Sequence, residues 1–145
     1  MIAEPTFMQT PTRTAYVIFS NETSFFWLRF LKTGFRHCAV IIPATDRPRG
    51  WTIVDPLSHH LLVDDVTVPE GCPDLPEQLR QAGHILVSVV MAPPPHRPAP
   101  IMPLSCVEVT KRLLGIHSKR VWTPYQLYLY LTNPKTRRRQ SPWVA

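Results

Sequence analysis

Runs of apolar residues separated by polar and turn-forming residues extend along most of the chain and predict the strands of a sheet. These runs are rich in β-branched and aromatic residues, which favour strands, and they cover residues 15–19, 35–42, 51–55, 61–68 and 84–91. Pro48 and Gly50 form a turn between the second and third runs, so these two strands should pair antiparallel. Asp64 and Asp65 place the fourth run near an exposed position or a sheet edge, whereas the apolar density of the last run predicts burial on both faces.

Helix-start and helix-stop signals predict four helices between and after these strands. Polar residues before an apolar run supply caps, and a glycine or an Asn-Pro pair ends the helix. The predicted helices cover residues 25–31, 74–82, 104–116 and 125–131. Asp74 is the expected cap of the second helix, and Thr123 followed by Pro124 begins the fourth. Residues 119–122 have the composition of a strand end.

The third predicted helix carries a cysteine at its start. Its apolar positions fall near one side of a 3.6-residue period, so the sulfur should face the same packed surface as the aliphatic side chains. The members of this stripe are Cys106, Val109, Leu113 and Ile116. Residues 92–104, which precede the helix, contain six prolines. They should form a stiff, extended crossover that aims the cysteine helix.

Length and composition favour a single domain of the α+β class. A chain of 145 residues with 44% hydrophobic composition is long enough for one domain with a core and too short for two. We expect an antiparallel sheet packed against the cysteine-bearing helix. Residues 1–13 are predicted to be an extended N-terminal arm, residues 14–131 the domain, and residues 132–145 a basic C-terminal tail.

The chain lacks the apolar segments that direct proteins to membranes. No apolar run approaches the roughly 20 residues that span a bilayer, so we expect no transmembrane segment. The first residues also lack the basic and apolar regions of a signal peptide, so secretion by that route is not expected. A cytoplasmic or virion-associated protein is the expectation.

The formal net charge of +6 is partly concentrated near the C-terminus. The basic side chains there are candidate binding residues for an anionic surface or a nucleic acid, namely Lys135, Arg137, Arg138 and Arg139. The alternative is a solvated tail without a ligand. Only five glycines are present and none of them cluster, so no phosphate-binding loop is predicted. Nucleotide hydrolysis is therefore not expected, and no cofactor is predicted.

The three cysteines, Cys38, Cys72 and Cys106, are widely spaced and form no Cys-x-x-Cys pair. An odd number at this spacing argues against a disulfide framework and against a zinc ribbon. Reduced thiols are the expectation. Cys106 stands out because backbone N–H groups at a helix start stabilise a thiolate.

A cysteine nucleophile also needs a base and a group that orients the base. His37, within the second apolar run, is the candidate base, and Asp55, at the end of the third, is the candidate orienting group. Each has a structural alternative: Cys106 as a buried hydrophobic residue, His37 as a core histidine, and Asp55 as a turn residue before a proline. His59 and His60 are substitutes for Asp55. Metal binding by these histidines and Cys106 is a rival that their spacing does not require.

The order of these motifs resembles that of a known family. Residues 28–31 lead into the histidine run 35–42, and residues 105–108 open the cysteine helix. This order is similar to the circularly permuted papain-like hydrolases, which include NlpC-type peptidases and the lecithin retinol acyltransferase class. The resemblance covers roughly residues 14–131. It implies that Cys106 is the nucleophile, His37 its base, and a polar residue on or near Asp55 the orienting group.

The resemblance implies a cysteine hydrolase or acyltransferase that acts on an amide or ester of a peptide, peptidoglycan or lipid. The chain also resembles small uncharacterised proteins of bacteria and bacteriophages, in which such a domain is a cell-wall hydrolase or an assembly component. The alternative expectation is therefore a non-catalytic interaction protein or a virion structural protein. In that case the N-terminal arm and the basic tail would contact neighbouring proteins.

Overall fold

Five antiparallel strands form one sheet in the part of the chain that the computed structural model describes, residues 13–22, 30–57, 59–92 and 98–139. The strands are β1 (Thr14–Ser20), β2 (His37–Pro43), β3 (Gly50–Pro56), β4 (Leu61–Thr67) and β5 (Ile85–Val90). Their order across the sheet is β4-β3-β2-β1-β5. The predicted α+β class with an antiparallel sheet is confirmed, and each strand lies within or overlaps a predicted apolar run.

Turn residues in the sequence explain why β2, β3 and β4 are neighbours in the sheet. The turn after β2 returns the chain antiparallel, so Val40 lies opposite Val54 in the predicted hairpin. β4 then pairs only with β3 and is an outer strand. Its exposed Asp64 and Asp65 confirm the predicted edge position, because charges on an edge strand are readily solvated.

Four helices lie in the described ranges: α1 (Leu75–Gln81), α2 (Cys106–Leu113), α3 (Pro124–Thr132) and α4 (Pro134–Arg139). Asp74, Ser105 and Thr123 cap the first three through side-chain oxygens that accept backbone N–H groups. None of these helices is long and apolar enough to cross a membrane. α4 lies within the segment predicted as a basic tail, and residues 25–29 of the predicted first helix lie outside the described ranges.

Helices cover both faces of the sheet. α2 and α3 pack on one face, where Val17, Val40, Val107 and Leu127 are among the buried residues. α1 packs on the other face against a smaller cluster that includes Trp51. Both faces of the central strands are therefore buried, which leaves the ends of the strands as the places where polar side chains can meet the helices.

The predicted burial of β5 on both faces is wrong. β5 pairs only with β1 and forms the second outer strand of the sheet. Val89 is buried, whereas Ile85 and Val90 are exposed. The apolar density of this segment reflects packing on parts of α1 and α3, and apolarity alone does not distinguish an outer strand covered by helices from a central one. The strand end predicted at residues 119–122 is also wrong, because these residues form no strand.

The predicted apolar stripe of α2 is displaced from the face that the helix buries. The fully buried residues are Val107, Thr110, Lys111 and Leu114 and their neighbour Glu108. Three members of the predicted stripe, Cys106, Val109 and Leu113, are only half-buried. The prediction fails because it counts only apolar residues, whereas the structure also buries the charged residues Glu108 and Lys111 as a pair.

The Glu108–Lys111 ion pair fastens α2 to the chain that follows it. Lys111 is 1% exposed, and its Nζ lies 2.7 Å from Oε2 of Glu108. The same ammonium donates to the carbonyl oxygens of Ser118 at 2.8 Å and Val121 at 3.0 Å. Burial opposes ionisation of Glu108, but hydrogen bonds from Lys111 and Arg112 lower the pKa of this carboxyl. The buried carboxylate is thus compensated by two positive charges, although its Oε2 accepts no hydrogen bond of good geometry.

Replacing Lys111 with methionine tests this compensation. Lys111→Met keeps the length of the side chain but leaves Glu108 buried without its main partner, so we expect a loss of about 3–5 kcal/mol in the free energy of unfolding. Urea unfolding followed by circular dichroism measures it. Arg80→Met, which removes the exposed 3.8 Å pair with Glu77, is the matched control and should cost less than about 1 kcal/mol. Equal losses in both variants would contradict the proposed importance of the buried pair.

Candidate active site

His37 and Asp55 meet at the start of β2 and the end of β3. The register places Val40 opposite Val54, and extending it by one residue places Asp55 opposite Ala39. His37 and Asp55 are thus diagonal neighbours on one face of the sheet, a spacing that long side chains can bridge. Nε2 of His37 lies 2.6 Å from Oδ1 of Asp55, and both side chains are partly buried. Asp55 therefore fixes the imidazole ring through one nitrogen and leaves Nδ1 available.

Cys106 is the first residue of α2 and faces this pair. Ser105 caps the helix by accepting the N–H of Glu108 at 3.2 Å, which leaves the backbone of Cys106 at the positive end of the helix. Hydrogen bonds from the Cys38 thiol and N–H, together with His37, lower the pKa of Cys106 from 9.0 to about 5, although burial opposes this shift. Cys106 is therefore a thiolate at neutral pH.

The same interactions raise the pKa of His37. Burial would lower the pKa of His37, but hydrogen bonds to Cys106 and Asp55 and the negative charges of both raise it from 6.5 to about 9. The imidazole is therefore protonated at neutral pH. Between about pH 5 and about pH 9 the site holds a thiolate–imidazolium pair with a carboxylate behind the imidazolium.

Cys38 is a member of the site that the sequence interpretation missed. It is fully buried, and its sulfur lies 3.6 Å from Oγ1 of Thr110 on α2. The hydrogen bond to Cys106, burial and the charge of Cys106 raise the pKa of Cys38 well above its usual value. Strand alternation is the signal that could have found it, because a residue next to His37 must point to the opposite face. That face is the one on which the cysteine helix packs.

Other predicted site residues lie elsewhere. Lys135 is exposed near the start of α4, and the side chains of Arg137, Arg138 and Arg139 lie outside the described part of the structure, so their binding role stays a prediction. His59 and His60 are exposed, and their rings lie 4.3 Å apart. Asp55 is the residue that contacts His37. Among the described residues, no three His, Cys, Asp or Glu side chains are arranged to hold a metal ion.

Comparisons of this chain with protein-family models, with curated proteins and with solved structures find no match. The chemistry of the site is therefore indicated by the geometry of its own residues. That geometry is the set of contacts among Cys106, His37, Asp55 and Cys38.

The reactivity of the Cys106 thiol provides a test of these electrostatics that needs no substrate. In a Cys72→Ser background, the rate of iodoacetamide labelling of Cys106 should reach its half-maximum near pH 5, because the thiolate is the reactive form. His37→Ala removes the neighbouring positive charge, so the midpoint should rise and labelling at pH 6 should slow by roughly tenfold or more. Peptide mass spectrometry identifies the labelled cysteine.

His60→Ala is the matched control for this experiment, because His60 is an exposed imidazole outside the site. It should leave the labelling profile unchanged. If the profile of His37→Ala coincides with that of the parent protein, the thiolate–imidazolium pair does not exist in solution.

Proposed function

We propose that this protein is a cysteine hydrolase or acyltransferase that acts on an amide or ester through a covalent acyl-enzyme. The proposal is supported by a helix-start cysteine whose pKa a neighbouring histidine lowers, together with a carboxylate that lies 2.6 Å from that histidine and orients it. Cys106 is the nucleophile, His37 the general base and acid, and Asp55 the orienting residue. These three side chains come from α2, β2 and β3.

The reaction follows from the charges of the site. The Cys106 thiolate attacks the carbonyl carbon, and the backbone N–H of Cys106 at the start of α2 stabilises the oxyanion that forms. His37 donates its proton to the leaving amine or alcohol, and the carbon–nitrogen or carbon–oxygen bond breaks to give a thioester. His37 then takes a proton from water or from an acceptor alcohol or amine as that group attacks the thioester. The thiolate is released with the acyl product.

Asp55 supports this cycle by holding His37 in one tautomer and orientation. Its Oδ1 accepts the Nε2 proton, so Nδ1 is the nitrogen that exchanges a proton with the sulfur and the leaving group. The negative charge of Asp55 also stabilises the imidazolium form that the resting site contains. The orienting role is thus both geometric and electrostatic.

A permuted papain-like arrangement is part of the proposal. The histidine strand precedes the cysteine helix in the chain, and α2 packs on the antiparallel sheet beside β2. The surface around the site favours a substrate with apolar groups. Leu62, opposite Asp55 on β4, is 41% exposed, and Leu104, just before the helix cap, is 79% exposed. An acyl chain, a peptide or a peptidoglycan stem peptide would offer matching groups.

Turnover of acyl substrates tests the proposal. Assays with p-nitrophenyl esters, peptides, peptidoglycan and phospholipid should show at least one activity that Cys106→Ala abolishes. His37→Ala should lower kcat/KM by roughly 10²–10⁴-fold, because it removes the general base and acid. The intact mass of the protein should increase by one acyl group when an ester with a slow deacylation step is used. Full activity of Cys106→Ala on the same substrate would overturn the proposal.

The pH profile is a second prediction for the same activity. Because the reactive form holds a thiolate and an imidazolium, kcat/KM should rise as pH passes about 5 and fall as pH passes about 9. Asp55→Asn should lower kcat/KM markedly, whereas Asp64→Asn, which alters an exposed carboxylate on β4, is the control and should not. A profile that is flat from pH 4 to pH 10 would contradict these assignments.

A further inference from the structure

Two cysteines that are 68 positions apart in sequence meet where α2 packs on β2. The Cys38 sulfur contacts Thr110, which lies one turn after Cys106 on α2, so this sulfur lies beneath the first turn of the helix. Cys106 packs against the core cluster to which Cys38 belongs. The two thiols are close enough that each shifts the pKa of the other, in opposite directions. Cys38 is fully buried, whereas Cys106 remains partly exposed. The Cys106 thiol is therefore accessible to small oxidants, and the Cys38 thiol lies next to it on the buried side.

We propose that Cys38 is a resolving cysteine, which forms a reversible disulfide with Cys106 after a hydroperoxide oxidises Cys106. The disulfide occupies the sulfur of the nucleophile and so stops acyl transfer, a consequence that rests on the proposed function. It also protects Cys106 from irreversible oxidation. The bond formation itself depends only on the contact between the two side chains.

The chemistry has two balanced steps. In the first, the Cys106 thiolate attacks one oxygen of the hydroperoxide, a sulfur–oxygen bond forms, the oxygen–oxygen bond breaks, and hydroxide or an alkoxide leaves. The sulfur of Cys106 loses two electrons to the peroxide and becomes a sulfenic acid. In the second, Cys38 loses its proton and attacks this sulfur, the sulfur–oxygen bond breaks, and the departing hydroxide takes the proton to leave as water. A dithiol reductant reverses the result by thiol–disulfide exchange.

The first step changes the surroundings of Cys38 in favour of the second. In the reduced protein the hydrogen bond to Cys106, burial and the charge of Cys106 all raise the pKa of Cys38. A sulfenic acid is neutral near pH 7, so Cys106 no longer repels a negative charge on Cys38. The positive charge of His37 is then no longer neutralised by a thiolate at Cys106. The hydrogen bond to Thr110, which lowers the pKa of Cys38, is unaffected. Deprotonation of Cys38 therefore becomes easier after Cys106 is oxidised.

Cys72 is an internal control, because its position excludes it from this pair. Its carbonyl oxygen accepts a hydrogen bond from Arg49 in the turn that follows β2. Cys38 lies at the start of β2, so the length of the strand, roughly 15 Å, separates the two regions. Cys72 is exposed and should react with thiol reagents independently of the other two cysteines.

Mass spectrometry of the peroxide-treated protein tests the proposal. The Cys72→Ser protein, treated with hydrogen peroxide and then digested without reductant, should give a cross-linked pair of peptides that contain Cys38 and Cys106. Its intact mass should be lower by two hydrogen atoms, its iodoacetamide labelling of Cys106 should be lost, and dithiothreitol should restore both. In Cys38→Ser, peroxide should instead give a Cys106 sulfenic acid that dimedone captures, and then a sulfinic acid that dithiothreitol does not reverse.

The outcomes separate this proposal from the proposed function. A Cys38–Cys106 cross-link in a protein without acyl activity supports the disulfide and contradicts the enzyme. Acyl activity whose loss in peroxide follows the same course in Cys38→Ser and the parent protein, with no cross-linked peptide, overturns the disulfide and leaves the enzyme standing. Cys38→Ala is a second variant that lacks a thiol, and circular dichroism shows which of the two variants is folded.

Discussion

The packing of the first turn of α2 against the start of β2 is the contact on which the rest of the site depends. It brings the positive end of a helix, a strand histidine and two thiols into one small volume, although these groups are far apart in sequence. Val107 and Thr110, which are fully buried, pack α2 against the sheet. Lys111 bonds the helix to the chain that follows it. Side-chain chemistry at the surface is thus positioned by packing in the core.

Charge balance explains why the site can hold a thiolate that is largely removed from water. A buried anion is costly unless hydrogen bonds and an opposite charge stabilise it. Cys106 has both, because Cys38 donates to it and His37 is protonated beside it. Asp55 then balances His37, and the positive end of α2 offsets part of the remaining negative charge. Removing one of the charged groups leaves its neighbour with an uncompensated charge, which is why the pKa values of Cys106, Cys38 and His37 are shifted together.

Much of this arrangement is predicted from the sequence, and each prediction that is wrong has a specific physical cause. Apolar runs identify all five strands because strand propensity and turn residues act locally, and Cys106, His37 and Asp55 are identifiable because their chemistry depends on residue type and position in an element. The burial of β5 depends on its neighbours in space, which local apolarity does not report. Cys38 resembles an ordinary core residue until the packing of α2 on β2 reveals its partner. Its pairing is a tertiary property.

The displaced stripe of α2 links core energetics to the exposure of Cys106. Successive residues of an α-helix are about 100° apart around its axis. The buried face of α2 is one residue further along the chain than the apolar stripe, so the helix is rotated by about 100° from the predicted orientation. If the stripe faced the sheet, Cys106 would point into the core and be closed to any substrate. Glu108 and Lys111 oppose that rotation, because it would expose the ammonium and break its bonds to Ser118 and Val121. A buried ion pair of this kind contributes little net stability compared with apolar residues of the same volume, so its effect here is chiefly to oppose the rotated orientation. The observed orientation is the one that leaves the sulfur at the edge of the packed face, in contact with His37 and still partly accessible.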